Sequence, residues 1–136
     1  MKKFIRFILG VITVLIIAYL IIVSLPKAKI DSADVDFVLS AIELYEHYQY
    51  DEAKANDTYL GKVIEVQGTI QLIETDQSGA TVLVLNVNDG FGGVMCTLAE
   101  NPKEELYEVN QQVTVKGLCA GKLMDVVLNK CVVVYA

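Results

Sequence analysis

The sequence predicts one transmembrane helix followed by a small, mainly β domain of five strands, and three observations support this. Phe7 to Leu25 is an unbroken run of 19 uncharged residues near the N-terminus. Beyond Lys62 the chain is rich in Val, Ile and Leu at roughly alternating positions, interrupted by short turn sequences. All 17 acidic residues follow the apolar run. We therefore expect a membrane segment and a separate acidic domain.

The run from Phe7 to Leu25 is long enough to cross a bilayer, because at about 1.5 Å per residue it spans roughly 30 Å as a helix. Three basic residues precede it and two lysines follow it, so the positive-inside rule favours a cytoplasmic N-terminus by a thin margin. A cleaved signal peptide would have a shorter apolar region and a small-x-small site. We predict an uncleaved signal anchor in the cytoplasmic membrane, with the domain in the periplasm or at the cell exterior.

Three regions follow from this pattern. Residues 1–29 are predicted to form a cytoplasmic tip, the anchor and a linker, residues 30–60 a helical segment packed on a barrel, and residues 61–136 the barrel. The apolar stripe of the second region predicts a helix from about Ser32 to Tyr48. The stripe consists of Val35, Val38, Leu39, Ile42, Tyr45 and Tyr48. A second helical stretch is predicted over Asp51 to Tyr59.

Five strands and one short helix are predicted in the third region. The first three strands cover residues 62–75, 80–87 and 92–99, separated by turns at 76–79 and 88–90. Residues 100–107 suit a short helix, with Asn101 as a possible cap and Pro102 at its first position. The last two strands cover 113–119 and 123–135, with a turn at 120–122.

Three strands, a short helix and two more strands is the chain order of an oligonucleotide/oligosaccharide-binding (OB) barrel. An internal repeat supports closure, since residues 61–68 align with residues 110–117. Gly61 and Asn110 begin the two copies, and both residue types tolerate a left-handed turn. Gly68 and Gly117 fall in mid-strand, where a missing side chain permits a bulge or bend. The alternative is an open sheet with the helix across it.

The chain resembles the tRNA-anticodon-like OB-fold proteins, small bacterial domains behind a membrane anchor or lipid signal. The resemblance spans about Ala33 to Tyr135. Over this range the chain shares the family's spacing of apolar and glycine positions. It is carried by Ala55, Tyr59-Leu60-Gly61-Lys62, Val66-x-Gly68, Val94-Met95-Cys96, residues 115–121 and Val126-Val127-Leu128 before Cys131. The resemblance implies an OB fold and membrane placement. It implies no catalytic signature and does not establish RNA binding.

The charge of the domain argues against nucleic acid as its ligand. From Ile30 onward the chain has six lysines, no arginine and 17 carboxylates, a formal net charge of −11. An OB barrel usually binds ligands on the face of its second and third strands, and nucleic-acid binders need cations and stacking aromatics there. Between Lys62 and Lys103 there is no Lys or Arg, and Phe91 is the one aromatic. We expect no nucleic-acid binding.

Three loop residues are the candidates for ligand contact. Phe91 lies in the glycine-rich segment Asp89-Gly90-Phe91-Gly92-Gly93, where an aromatic ring is either an exposed anchor or a plug for the barrel end. Lys122 and Met124 border the loop between the last two strands and are weaker candidates. Gly61, Gly68 and Gly117 are assigned structural roles.

The three cysteines, Cys96, Cys119 and Cys131, are read as structural and buried, although an oxidising compartment permits one disulfide. A regular hairpin centred at Gly121 would place Cys119 opposite about Leu123 and Cys131 opposite about Gln111, too far apart to bond. A disulfide between Cys96 and Cys131 stays an alternative.

No catalytic residue, cofactor or metal site is predicted. His47 has no second histidine, cysteine or serine near it in sequence, and is read as a solvated helix residue. The preferred function is therefore a membrane-tethered, extracytoplasmic, non-catalytic OB-fold binding module for a protein, a peptide or a small neutral ligand, its partner being such a ligand or another envelope protein. The alternative is a structural accessory subunit of an envelope membrane complex.

Overall fold

A computed structural model describes residues 1–24, 30, 33–102 and 106–135, and shows a long N-terminal helix and a barrel of strands. The helices are α1 (Lys2–Ser24), α2 (Ala41–Tyr50) and α3 (Glu52–Tyr59). The strands are β1 (Phe37–Ser40), β2 (Val63–Thr75), β3 (Thr81–Asn86), β4 (Gly93–Leu98), β5 (Gln112–Lys122) and β6 (Val126–Tyr135).

Helix α1 contains nearly all of the predicted membrane segment. It is 23 residues long, with a mean hydropathy of 2.9 over its most apolar part and no buried residue. Within the described part of the chain it is the one helix long and apolar enough to cross a membrane. Leu25, the last residue of the predicted run, lies outside the described residues.

Strands β2 to β6 form a closed barrel of five strands, as predicted for an OB fold. The hydrogen-bonded order is β2-β3-β4-β6-β5, and a further pairing of β5 with β2 closes the ring. The β4–β6 pair is parallel, whereas the other barrel pairs are antiparallel. The predicted mainly β barrel is confirmed, and the open-sheet alternative is wrong.

The barrel closes around aliphatic side chains that alternate along the strands. In the two copies of the internal repeat, Ile64 and Val66 match Val113 and Val115, and all four are buried in one core cluster. The turns that precede the copies are also alike, because Gly61 has φ of 74° and Asn110 has φ of 72°. Both residues adopt the left-handed conformation expected of Gly and Asn.

The predicted helix from Ser32 to Tyr48 is wrong over residues 33–40, because residues 33–36 are not helical and Phe37–Ser40 forms strand β1. Ser32 itself lies outside the described residues. This strand pairs in parallel with the first half of β2, from Phe37 with Ile64 to Ser40 with Gln67. Its side chains alternate between half-buried and exposed, and Phe37 and Leu39 pack against the core. Pairing satisfies main-chain groups along the edge of β2, which outweighs the helical spacing of the apolar residues.

The helix that follows β1 has a different buried face from the one predicted. Ser40 caps α2 by accepting a hydrogen bond from Glu43 N at 3.1 Å. The buried residues of α2 are Ala41, Leu44, Tyr45 and Tyr48, whereas Val38 and Ile42 of the predicted stripe are exposed. Helix α3 begins after its cap, Asp51, and confirms the second helical stretch.

The predicted short helix over 100–107, between barrel strands three and four, is not found at any described position. Residues 100–102 and 106–107 are not helical, and residues 103–105 lie outside the described part. Asn101 was expected to cap this helix. Its side chain instead accepts from Thr81 N at 2.7 Å and donates to the Gly79 carbonyl at 2.7 Å, which ties the segment to the β2–β3 hairpin.

The hairpin between β5 and β6 turns later than predicted. Cys119 pairs with Leu128 rather than Leu123, and Lys122 pairs with Val126, so the turn lies at residues 123–125. Gly121 is inside β5, with φ of 98°. Three register shifts along the pair, one of them at Gly117, break the regular ladder on which the prediction depended.

Candidate ligand-binding cleft

The face on which OB barrels usually bind ligands is closed at β3. Val82, Leu83, Val84 and Leu85 are all buried. Successive side chains of a strand point to opposite faces, so β3 is covered on both sides. The part of the usual face formed by β3 is therefore aliphatic and buried, and offers no ring for stacking and no cation.

An open cleft of about 640 Å³ lies beside this face, where the start of α2 crosses β2. Its size falls within the range typical of small-molecule sites. It is lined by Ser40, Ala41, Ile42, Gln67, Gly68, Thr69, Asn86, Asn88, Gln112, Val113 and Thr114.

A gap in the pairing of β2 forms the floor of the cleft. Strand β1 pairs with β2 as far as Gln67, and β3 begins to pair with it at Ile70. Among the described strands, Gly68 and Thr69 are paired with β5 alone. A Cβ at Gly68 would lie 3.0 Å from the Cβ of Ala41, so glycine allows α2 to approach the strand closely.

The lining is uncharged and mixes polar with aliphatic residues. It includes four residues with side-chain amides, Gln67, Asn86, Asn88 and Gln112, and three with hydroxyls, Ser40, Thr69 and Thr114. An amide both donates and accepts hydrogen bonds, as a hydroxyl does. None of the lining residues is ionisable, so the cleft is suited to a neutral polar ligand and has no cationic side chain for a phosphate.

The last residue of β3, Asn86, and the loop that follows it supply two of these amides, and the Asn88 main chain is held in a fixed conformation. Asn88 has φ of 59°, and its N–H donates to Asn86 Oδ1 at 2.8 Å. This local bond holds the left-handed turn that Asn tolerates better than most residues. The sequence prediction of a turn at 88–90 is confirmed, but its contribution of amides to a site was missed.

The three residues predicted as ligand contacts lie together, but not at the cleft. Phe91 is 89 % exposed and Met124 is 75 % exposed, while Lys122 is half-buried with Nζ 5.2 Å from the centroid of the Tyr45 ring. A hydrogen bond of 2.8 Å from Gly93 N to Asp125 Oδ1 joins the loop of Phe91 to the hairpin of Met124. The Phe91 ring is therefore exposed and does not plug the barrel end, while its contact with a ligand stays a prediction.

Tyr45 connects this end of the barrel to α2. Its hydroxyl donates to Asp89 Oδ2 at 3.0 Å and accepts from Gln49 Nε2 at 2.8 Å. Burial, and then the hydrogen bond to Asp89, raise the pKa of Tyr45. The neutral phenol therefore fixes the β3–β4 loop against the helix that caps the barrel.

Gly117 and the three cysteines, which were predicted to be structural, lie in tightly packed parts of the barrel. A Cβ on Gly117 would lie 2.5 Å from Cys131 Sγ and 3.2 Å from Leu128 Cβ. All three cysteines are free and buried, so no disulfide is present. The neighbouring Cys96 thiol and burial raise the pKa of Cys131, whose Sγ donates to the Leu128 carbonyl at 3.3 Å. Cys119 instead lies 3.4 Å from the Tyr48 hydroxyl.

His47 is exposed, but it also contacts another side chain. Its Nδ1 lies 2.7 Å from the Tyr59 hydroxyl, and the two rings stack with their centroids 5.9 Å apart. Burial raises the pKa of Tyr59. The contact joins α2 to α3 and accounts for the histidine as a structural residue.

The barrel and the apolar N-terminal helix agree with comparisons with known proteins. The tRNA_anti-like family model matches residues 1–133. One similar solved structure is a Klebsiella pneumoniae lipoprotein, provisionally described as nucleic acid-binding. It shares 16 % identity at a TM-score of 0.57 over 80 % of this chain and 99 % of that chain, a likeness that shows the fold alone. No curated protein matches the sequence. Because the family match spans almost the whole chain, this protein belongs to the tRNA_anti-like family of OB-fold proteins.

Proposed function

We propose that this protein is a membrane-tethered, extracytoplasmic and non-catalytic binding module whose cleft takes a small neutral ligand rich in hydroxyl or amide groups. A short neutral saccharide is the ligand class that fits best. The observation that carries the proposal is the cleft of about 640 Å³, whose lining includes four amide and three hydroxyl residues and not one ionisable side chain.

Charge and burial both argue against a nucleic-acid ligand. Non-specific binding of nucleic acid depends on several phosphate contacts with Lys or Arg. The cleft offers none, and the domain from Ile30 onward carries a net charge of −11. The aliphatic residues Val82 and Val84 are buried where an OB barrel that binds single strands would present aromatic rings.

A small ligand also fits better than an extended peptide. A peptide that adds to a sheet edge needs main-chain partners along several consecutive residues. Strand β2 offers a gap of two residues, Gly68 and Thr69, between its pairings with β1 and β3. The gap is long enough for one or two hydrogen bonds to a sugar or an amide, and too short for a strand.

The tether in this proposal is α1, which has the length and composition to cross a membrane. The excess of basic residues before the apolar run supports a cytoplasmic N-terminus, which would leave the barrel outside the cytoplasm. The alternative, a structural accessory subunit of an envelope membrane complex, stays a prediction.

The cleft is tested by ligand-observed NMR on the full-length protein in lipid nanodiscs, with chitotriose and maltotriose as neutral probes. We expect saturation transfer to at least one trisaccharide. Replacing Gln67 or Gln112 by Leu should abolish it, because each change removes one amide of the lining. Gln71→Leu is the matched control, since Gln71 is an exposed glutamine of β2 outside the cleft.

Two results would contradict the proposal. One is absence of transfer to both trisaccharides. The other is transfer that survives Gln67→Leu and Gln112→Leu as well as it survives Gln71→Leu. The second result would show that the sugar binds elsewhere on the protein.

A further inference from the structure

Three large apolar side chains are exposed together at one end of the barrel. Phe91 is 89 % exposed, Leu123 is 89 % exposed and Met124 is 75 % exposed. Phe91 lies in the β3–β4 loop, and the other two form the turn of the β5–β6 hairpin. Exposed apolar residues that cluster at loop tips are unusual on a soluble surface and mark a contact with another apolar phase. We call Phe91, Leu123 and Met124 the apolar tip.

The apolar tip is held in place by the rest of the barrel. Gly93 N donates to Asp125 Oδ1 at 2.8 Å, which joins the two loops. Phe91 N donates to Asp89 Oδ1 at 3.2 Å, and the other oxygen of Asp89 accepts from Tyr45. The two acidic side chains nearest the apolar residues are thus engaged by protein donors, and the tip is presented as a fixed surface.

The apolar tip lies at the end of the barrel where the chain arrives from α1. Asp36 N donates to the Val63 carbonyl at 2.8 Å, so the chain enters beside the start of β2. Val63 pairs with Leu118 of β5. Strand β5 then runs four residues beyond this level to Lys122, and its hairpin turn therefore projects past the entry point.

The length of the connection keeps this end near the bilayer. Six residue steps separate Ser24, the last residue of α1, from Ile30, which is buried in the domain. At most about 3.6 Å per residue, these steps reach roughly 20 Å. A tether this short gives the tip a high effective concentration at the membrane surface, so weak apolar contacts suffice.

We infer that the apolar tip inserts Phe91, Leu123 and Met124 into the headgroup–acyl boundary of the bilayer that holds α1. The lipid is zwitterionic or neutral, because a domain of net charge −11 is repelled by an anionic surface. The contact orients the barrel, with α2 and the tip toward the membrane and the β2–β3 hairpin away from it. This inference rests on the membrane tethering in the proposed function, but not on the ligand of the cleft.

The test uses single tryptophan reporters in the full-length protein, which has no tryptophan of its own. The protein is placed in phosphatidylcholine nanodiscs, with or without phosphatidylcholine brominated near the headgroup end of its acyl chains. Phe91→Trp and Met124→Trp report on the tip. Gln77→Trp, in the exposed hairpin between β2 and β3, is the matched control, and Tyr19→Trp in α1 reports on anchoring.

We expect the tryptophan emission of both tip reporters to be blue-shifted relative to that of Gln77→Trp. In brominated discs both tip reporters should lose most of their emission intensity, and the intensity of Gln77→Trp should not change. Adding Leu123→Ser to Phe91→Trp should reverse part of the shift. Quenching of Tyr19→Trp without quenching of the tip reporters would overturn this inference and leave the tether intact. Absence of quenching at Tyr19→Trp would overturn the tether. A tip reporter that shifts in native membranes, but not in pure lipid discs, would assign the tip to a protein partner and overturn the lipid contact.

Discussion

The phenol of Tyr45 and the carboxylate of Asp89 are 44 residues apart in sequence and form a hydrogen bond of 3.0 Å. Tyr45 belongs to the face of α2 that closes the barrel, and Asp89 to the loop between β3 and β4. Together with a longer bond of 3.4 Å from Gln49 Nε2 to the same Asp89 oxygen, it positions both the cap of the barrel and the loop that carries Phe91.

Removing this hydroxyl should destabilise the domain. Tyr45→Phe keeps the ring in the core but removes the shorter of the two bonds that α2 donates to Asp89, leaving Gln49 Nε2 at 3.4 Å, and we expect a loss of about 1–2 kcal/mol for a partly buried bond to a charged acceptor. Denaturant unfolding of the full-length protein in detergent measures the change. Tyr50→Phe is the matched control, because Tyr50 is almost fully exposed. Equal stability of the two variants would show that the bond contributes nothing.

Gly117 lies at a register shift between β5 and β6, where the packing leaves no room for a side chain. A side chain there meets Cys131 Sγ and Leu128 Cβ, so Gly117→Val should cost about 1–3 kcal/mol through overpacking. Gly90→Val meets open space and should be nearly neutral. In a Gly117→Ala background, Cys131→Ala should recover part of the loss, because the closest contact is to its sulfur. Additive losses in the double variant would contradict this packing.

Alkaline pH should destabilise the fold through Tyr48. Burial and the contact with the Cys119 thiol raise the pKa of this buried phenol above its ordinary value of 10.0. When the pH is below this ordinary pKa, Tyr48 keeps its proton in both the folded and the unfolded chain, and its contribution to the free energy of unfolding is fully present. Above it the unfolded chain ionises first, so the free energy of unfolding falls by up to about 1.4 kcal/mol per pH unit until the folded pKa is reached.

The melting temperature measured from about pH 8 to about pH 11 checks this sign. The wild type should lose stability steeply in the upper part of the range, and Tyr48→Phe should lose it less steeply. A steeper loss in Tyr48→Phe than in the wild type would contradict the assignment. The measurement also separates the phenol from the carboxylates, which titrate far below this range.

The buried thiols make a direct test of topology possible. Cys96, Cys119 and Cys131 are buried, so we expect none of them to react with a maleimide until the protein is denatured. Ser78→Cys places a thiol in the exposed β2–β3 hairpin. In intact cells a membrane-impermeant maleimide should label Ser78→Cys and leave the wild type unlabelled. Labelling of Ser78→Cys only after lysis would place the barrel in the cytoplasm.

The barrel was predictable because its signal is local. Alternation along residues 62–75 and the turns at 76–79 and 88–90 each specify a strand or a hairpin without reference to the rest of the chain. The same holds for the left-handed positions Gly61 and Asn110. Strand β1 was missed because the apolar residues before Ala41 also suit a helix, and the edge of β2 that they cover exists only in the folded barrel.

The cleft was not predictable for a related reason. Its amides come from three separate stretches of chain, at Gln67, at Asn86 with Asn88, and at Gln112, and no spacing in sequence connects them. The tip was partly predictable, since glycines around Phe91 mark an exposed loop. Leu123 was missed because the sequence analysis placed the hairpin turn three residues too early, whereas register shifts along β5 move it to residues 123–125.

The most direct test of the central claim, that this OB barrel serves a neutral ligand and not nucleic acid, is one paired titration. Full-length protein in nanodiscs is titrated with a fluorescein-labelled single-stranded oligonucleotide and, separately, with chitotriose and maltotriose, in the same low-salt buffer. We predict binding of at least one trisaccharide and no change in anisotropy of the oligonucleotide. Salt-sensitive binding of the oligonucleotide, with neither trisaccharide bound, would contradict the account.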